Sequence, residues 1–153
     1  MSRLSRHAAV VLLLAALALS SFPVAPAEAG AVYSSDQIRV RQLVNDTRGN
    51  NNRRLLTLNK DFSNKATLWA RELARCRCLK HRNAPYGAPN GWYAAAENVG
   101  RGWSMAQVHQ AFLGSSGHRA NILNRRMTHI GVGVAQSSNG EYFVVQAFMD
   151  RSP

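Results

Sequence analysis

Imidazole and carboxylate side chains bind zinc and move protons near neutral pH. In this 153-residue chain three of them stand where regular elements are expected to end or turn: His81, Glu97 and His118. Singly, each such residue is more often a structural hydrogen-bonding group. Together they form one candidate site. Motifs that would name a reaction are missing: there is no G-x-x-x-x-G-K-S/T phosphate cradle and no H-E-x-x-H zinc-protease helix. Gly114-Ser115-Ser116-Gly117 is one residue short of the G-x-S-x-G nucleophile elbow and reads as a connector between helices. Asn45-Asp46-Thr47 fits the glycosylation sequon, but its mid-helix position makes it a chance match.

The two cysteines are Cys76 and Cys78. An oxidising compartment permits a bridge between them. On a helix, residues two apart point roughly 200° away from each other, so a bridge requires the helix to end there. The same divergence disfavours a Cys76-x-Cys78-x-x-His81 metal cluster. A structural role at most is expected for the pair.

Periodicity places the elements that must position the candidate groups. Ser34-x-x-Gln37 is a capping box, and Val40, Leu43, Val44 and Thr47 follow at helical spacing, predicting a helix from about Asp36 to Arg48. Gly49 to Asn52 stops it, and Leu55, Leu56 and Leu58 make a short apolar connection. Phe62, Ala66, Trp69, Ala70 and Leu73 line one face of a second helix, from near Asp61 to about Leu79. Pro85, Gly87 and Pro89 mark Asn83 to Asn90 as loop. Ala95 to Val99 fits a short strand within an otherwise ambiguous stretch from Trp92. Ser104-x-x-Gln107 opens a third helix with Met105, Val108, Ala111 and Phe112 inward, leaving His109 exposed; a helical turn from His118 to Leu123 follows. Ile130, Val132 and Val134 alternate with Gly131, Gly133 and Ala135 as in a strand, and Asn139-Gly140 is a hairpin turn. The strand from Glu141 to Asp150 is apolar on both faces, with Tyr142, Val144 and Phe148 on one and Phe143, Val145, Ala147 and Met149 on the other. A strand buried on both sides implies layers above and below it. The expected fold class is therefore α+β, a three-layer α-β-α sandwich around a mainly antiparallel sheet.

Residues 1–29 read as a cleavable signal peptide: Arg3 and Arg6, an apolar run of twelve residues from Ala8 to Leu19, then Ala27-Glu28-Ala29 before Gly30. One domain, residues 30–153, is expected to remain, with no second stretch apolar and long enough to cross a membrane. It holds 17 basic and 7 acidic residues, a formal charge of +10. Such a field favours anionic surroundings such as envelope polymers and acidic lipid head groups. Arginines outnumber lysines 16 to 3 in the whole chain, which suits phosphate and carboxylate partners.

Ala96-Glu97-Asn98-Val99 and Ser115-Ser116-Gly117-His118-Arg119-Ala120-Asn121-Ile122-Leu123 resemble the signatures of the CAP superfamily of cysteine-rich secretory, antigen 5 and pathogenesis-related 1 proteins. Leu43-Val44-Asn45-x-x-Arg48, His81, Thr128 to Val134 and Gln146-Ala147-Phe148 extend the likeness over about Asp36 to Asp150, closest to the short bacterial form. The resemblance implies an α-β-α sandwich and a cleft of two histidines and two acidic residues. His81, Glu97 and His118 match three of the four positions. Ser115 stands at the fourth, where many relatives have glutamate, and serine is a poor zinc ligand. Phe112, where tryptophan is frequent, and the Cys76/Cys78 pair also depart from the pattern. His129 matches a packing position, and neither it nor His109 is assigned to the site.

The resemblance names no shared reaction, so three functions are weighed. The preferred one is a non-catalytic, secreted binding module whose cleft (His81, Glu97, Ser115, His118) takes an anionic or amphipathic envelope component: a lipid, a sterol-like molecule or a wall polymer. The main alternative is a metal-assisted hydrolase, with zinc on His81 and His118 and Glu97 as general base. A basic toxin or nuclease-like factor rests on charge alone. Weak zinc binding, no specific nucleic acid, a monomer, and a secreted or cell-envelope location complete the expectation.

Overall fold

Ser34 and Gln37 close the expected box. Gln37 N–H donates to the Ser34 hydroxyl at 3.2 Å, and Ser34 N–H donates to the Gln37 side-chain oxygen at 3.0 Å. This starts α1 (Ser35–Asn50). The computed structural model describes residues 33–82 and 94–150. Within them α2 (Lys60–Cys76) is capped by Asn59 and α3 (Met105–Gly114) by Ser104, each side chain accepting from a backbone N–H three residues on. The last helix, α4 (Ser116–Leu123), follows α3 after the single residue Ser115. The strands are β1 (Thr57–Leu58), β2 (Ala94–Gly102), β3 (His129–Gln136) and β4 (Tyr142–Asp150). The hairpin between β3 and β4 turns through Gly140 at φ +87°, the left-handed region that Asn139-Gly140 signals.

The sheet order is β1-β3-β4-β2. β4 pairs antiparallel with both β3 and β2, while β1 runs parallel to β3 through Thr57 and Leu58. The sheet is therefore mixed. β4 lies inside it and buries both of its faces, as its two-sided apolar pattern requires. Val144 and Phe148 pack with Ile130 and Val132 against Val40, Val44, Val108, Phe112 and Ile122 of α1, α3 and α4. Phe143, Val145, Ala147 and Met149 pack on the other face against Phe62, Ala66, Ala70 and Leu73 of α2. Two cores on either side of one sheet make the three-layer α-β-α sandwich.

α1 runs two residues past Arg48 to Asn50 and α4 opens at Ser116 rather than His118; two larger differences stand out. α2 ends at Cys76 rather than Leu79, because Cys76 and Cys78 are disulfide-bonded and Arg77 between them is left-handed (φ 50°, ψ 34°). A helix cannot hold such a bridge, so helix and bridge exclude each other at this point. On α3, His109 is 4% exposed and Ala111 is exposed instead. α3 packs on α1 as well as on the sheet, which rotates its buried stripe towards Val108, His109 and Phe112. The loop expected over Asn83 to Asn90 lies outside the described residues, as does the start of the stretch from Trp92.

Candidate functional site

The segment after α2 brings His81 to β2. Arg101 of β2 donates to the Arg77 carbonyl at 3.1 Å, and the Lys80 ammonium stands over the Trp69 ring, 5.3 Å from its centroid. His81 Nδ1 and Glu97 Oε1 are 2.7 Å apart, and Arg82 N–H donates to the same oxygen at 3.2 Å. An ionised carboxylate only accepts, so Nδ1 carries the shared proton and Nε2 is the nitrogen left for another partner. The imidazole is well exposed and the carboxylate nearly covered: their side chains are 62% and 12% accessible. Glu97 thus fixes the tautomer and orientation of a histidine that faces solvent.

His118 joins the pair from α4. Its ring lies 5.0 Å from that of Phe112, centroid to centroid. Burial pushes its pKa below the ordinary imidazole value, and the nearby His81 charge lowers it further, so His118 stays neutral where an exposed histidine would titrate. Ser115, between α3 and α4, is half-buried; its N–H donates to the Phe112 carbonyl, while its side chain makes no capping bond to α4. His81 and Glu97 are therefore in direct contact, His118 lies near enough to feel the His81 charge, and Ser115 stands three residues before His118.

The residues that hold this turn in place are polar ones that helical and strand periodicity passes over. Asn98, fully buried, donates to the His118 carbonyl and to the Gln146 side-chain oxygen, both at 3.1 Å. Asn121 in turn donates to Asn98 Oδ1 at 2.9 Å. The network ties α4 to β2 and β4, and so sets His118 relative to Glu97. A signal for them exists, since both asparagines belong to the motifs quoted above, but no local pattern marks a buried amide. Arg48 anchors the far end of α4. Its guanidinium, wholly buried, donates to the carbonyls of Arg54, Ile122, Asn124 and Met127. His109 is excluded from the site: its Nε2 is 2.8 Å from Thr47 Oγ1 in the α1–α3 contact. His129 bonds Thr128 at the start of β3. Asn45 donates to the Leu56 carbonyl from within α1, consistent with a chance sequon.

As a metal centre the donor set is incomplete. Among the described residues no group of three or more His, Cys, Asp or Glu side chains could hold an ion. Glu97 is already engaged by His81 and Arg82, and the cysteines are bridged. Two imidazoles do not fit a closed zinc site, which takes four ligands. A concavity of about 580 Å³ lies elsewhere, between the start of α1 and α2, beside Gln37, Lys60, Thr67 and Arg71.

Comparison with known proteins settles the family. The model of the cysteine-rich secretory protein family, CAP, matches residues 41–148. The chain belongs to the CAP family. Over 115 residues this CAP chain is 29% identical to the uncharacterized protein YkwD of Bacillus subtilis, covering 69% of the chain and 45% of that protein. The chain thus spans less than half the length of this relative. Among solved structures, an outer surface protein from Borrelia burgdorferi superposes with a TM-score of 0.67 at 17% identity, covering 79% of this chain and 97% of that one. An extracellular protein containing an SCP domain from Bacillus anthracis gives 0.64 at 23% identity, covering 75% of this chain and 40% of that one. At such identities the structural likeness shows the CAP fold alone.

Proposed function

We propose that this CAP chain is an exported, basic binding module that engages an anionic or amphipathic envelope component through the His81–Glu97–His118 cleft. The observation that carries the reading is the His81–Glu97 pair: an exposed imidazole, oriented by a covered carboxylate, in a chain with a formal charge of +11. An imidazole held this way offers Nε2 as an acceptor to a hydroxyl when neutral and donates Nε2–H to a phosphate or carboxylate when protonated, and the surrounding positive field concentrates anions around it. Residues 1–29 carry the pattern of a signal peptide, and two structural relatives are named as extracellular and outer surface proteins, which supports export to the surface or beyond. Among the described residues no hydroxyl or thiol stands paired with His81 or His118 as a nucleophile would with its base, which favours binding over covalent catalysis. Weak zinc binding by the two imidazoles is part of the proposal.

The test pairs two assays on the mature chain. Sedimentation with phosphatidylglycerol vesicles, and with purified wall polymer, is expected to show binding that weakens with salt. A panel of peptide, ester and phosphate-ester substrates, with and without added zinc, is expected to show no turnover. Turnover lost in His81→Ala, His118→Ala and Glu97→Gln, with melting unchanged, would replace the binding module by the hydrolase.

A further inference from the structure

The Cys76–Cys78 bridge does little for the fold and is open to solvent. It closes a loop of three residues, and the constraint a disulfide places on the unfolded chain shrinks as its loop shortens. Locally it works against the backbone. Arg77 is held at φ 50°, one of two non-glycine residues with positive φ among those described. Arg77 and Leu79 are good helix formers, so propensity favours continuing α2 through the residues that the bridge interrupts. Breaking the S–S bond releases both costs.

Access and charge point the same way. Cys76 is exposed, whereas Cys78 is half-buried against the core beneath α2. Arg75, Arg77, Lys80 and Arg82 flank the pair in the chain, and nearby cations stabilise the thiolate form of cysteine. Arg75 is paired with Glu72, Arg77 with Ser138 and Lys80 with the Trp69 ring, so these cations supply a general positive field rather than a contact to either sulfur. The carbonyl end of α2 disfavours a thiolate at Cys76 itself. A thiolate leaving at Cys78, beyond the helix, escapes that penalty.

We infer that the Cys76–Cys78 pair is a thiol–disulfide exchange site, whose substrates are small thiols and exposed dithiols. An incoming thiolate attacks Cys76 Sγ. The S–S bond breaks, Cys78 leaves as a thiolate and takes up a proton from solvent, and Cys76 is held as a mixed disulfide. A second thiolate attacks the outer sulfur of that mixed disulfide, releasing the oxidised substrate and the Cys76 thiolate, which is protonated in turn. Two thiols become one disulfide as the protein gains two electrons and two protons. In reverse, the reduced pair is reoxidised by a small disulfide. This site is independent of the cleft's ligand.

The experiment equilibrates the folded protein with millimolar reduced glutathione, traps free thiols by alkylation in acid, and reads the mass. Two alkyl groups per chain are expected, with near-ultraviolet circular dichroism unchanged. Cys78→Ser, given oxidised glutathione, is expected to gain the mass of one glutathione on Cys76. Cys76→Ser/Cys78→Ser, melted alongside, checks that the fold survives loss of the bridge. A bridge that resists glutathione until urea unfolds the chain overturns the inference, and so does a Cys78→Ser protein that stays unmodified.

Discussion

Gly133→Ala tests how α2 sits on the sheet. A Cβ built at Gly133 meets the backbone carbon and oxygen of Ala66 at 2.1 Å, and one at Gly131 meets Phe62 Cβ at 2.5 Å. Ordinary contact begins at 3.4 Å, so the methyl at Gly133 needs more than an ångström of room. The obstacle is helix backbone, which cannot swing aside as a side chain would. α2 would have to lift as a body, with Phe62, Ala66, Ala70 and Leu73 all buried along its length. Overpacking a well-packed core costs about 1–3 kcal/mol and sometimes more. With backbone in the way we expect about 3 kcal/mol or above. For a domain of this size that lowers Tm by roughly 10 °C. Gly114→Ala is the control: nothing lies within 4 Å of its Cβ, it ends α3, and it should be neutral or stabilising by up to about 1 kcal/mol. Thermal melts and urea titrations followed by circular dichroism measure both. A Gly133→Ala protein that melts with its parent would refute the close approach of α2 to β3.

Four further outcomes follow from particular contacts. Phe148→Ala should cost about 3–5 kcal/mol, as large aromatics in a packed core do, and Trp69→Ala less, because Trp69 is only half-buried; denaturant midpoints decide. Asn98→Ala leaves Gln146 and Asn121 without their shared partner and should cost about 1–3 kcal/mol, with a shift in the His118 ring resonances that a purely packing loss elsewhere would not produce. Burial holds the His109 pKa below the usual imidazole value, so stability should be full above about pH 6.5 and fall as the pH drops below it, towards the depressed folded value, while only the unfolded chain binds the proton. Urea midpoints at pH 7.5 and 5 read this slope, and His109→Gln should flatten it in part. Serine at both Cys76 and Cys78 should cost about 1.6 kcal/mol or less, the loop-closure value for three residues, with cooperative unfolding retained.

The central layer is legible in the sequence because β4 is apolar at successive positions on both faces, a pattern only an interior strand shows. The Ser34 and Ser104 caps mark the starts of α1 and α3 within a residue or two. The end of α2 is not legible, because local propensity runs on through Arg77 and Leu79 and a covalent bond overrides it. β1 is too short for a period, so its parallel pairing with β3 leaves no signal. His109 is misplaced by periodicity, which gives the width of a buried stripe poorly when a helix packs on two neighbours at once. At the site, residue type alone singles out His81, Glu97 and His118, and family likeness adds Ser115. The amides of Asn98 and Asn121 act through partners distant in sequence, which no local spacing reports.

Binding to phosphatidylglycerol vesicles by the parent and by His81→Ala/His118→Ala, at matched pH and ionic strength, decides whether the cleft is a binding site. Both variant positions are partly or well exposed, so melting temperatures should match. The parent is expected to sediment with the vesicles and to be released by salt. The double variant should bind several-fold more weakly, though its formal charge is the same with His neutral. Equal binding by parent and variant, over the same salt range, would contradict a cleft and leave only a diffuse basic surface.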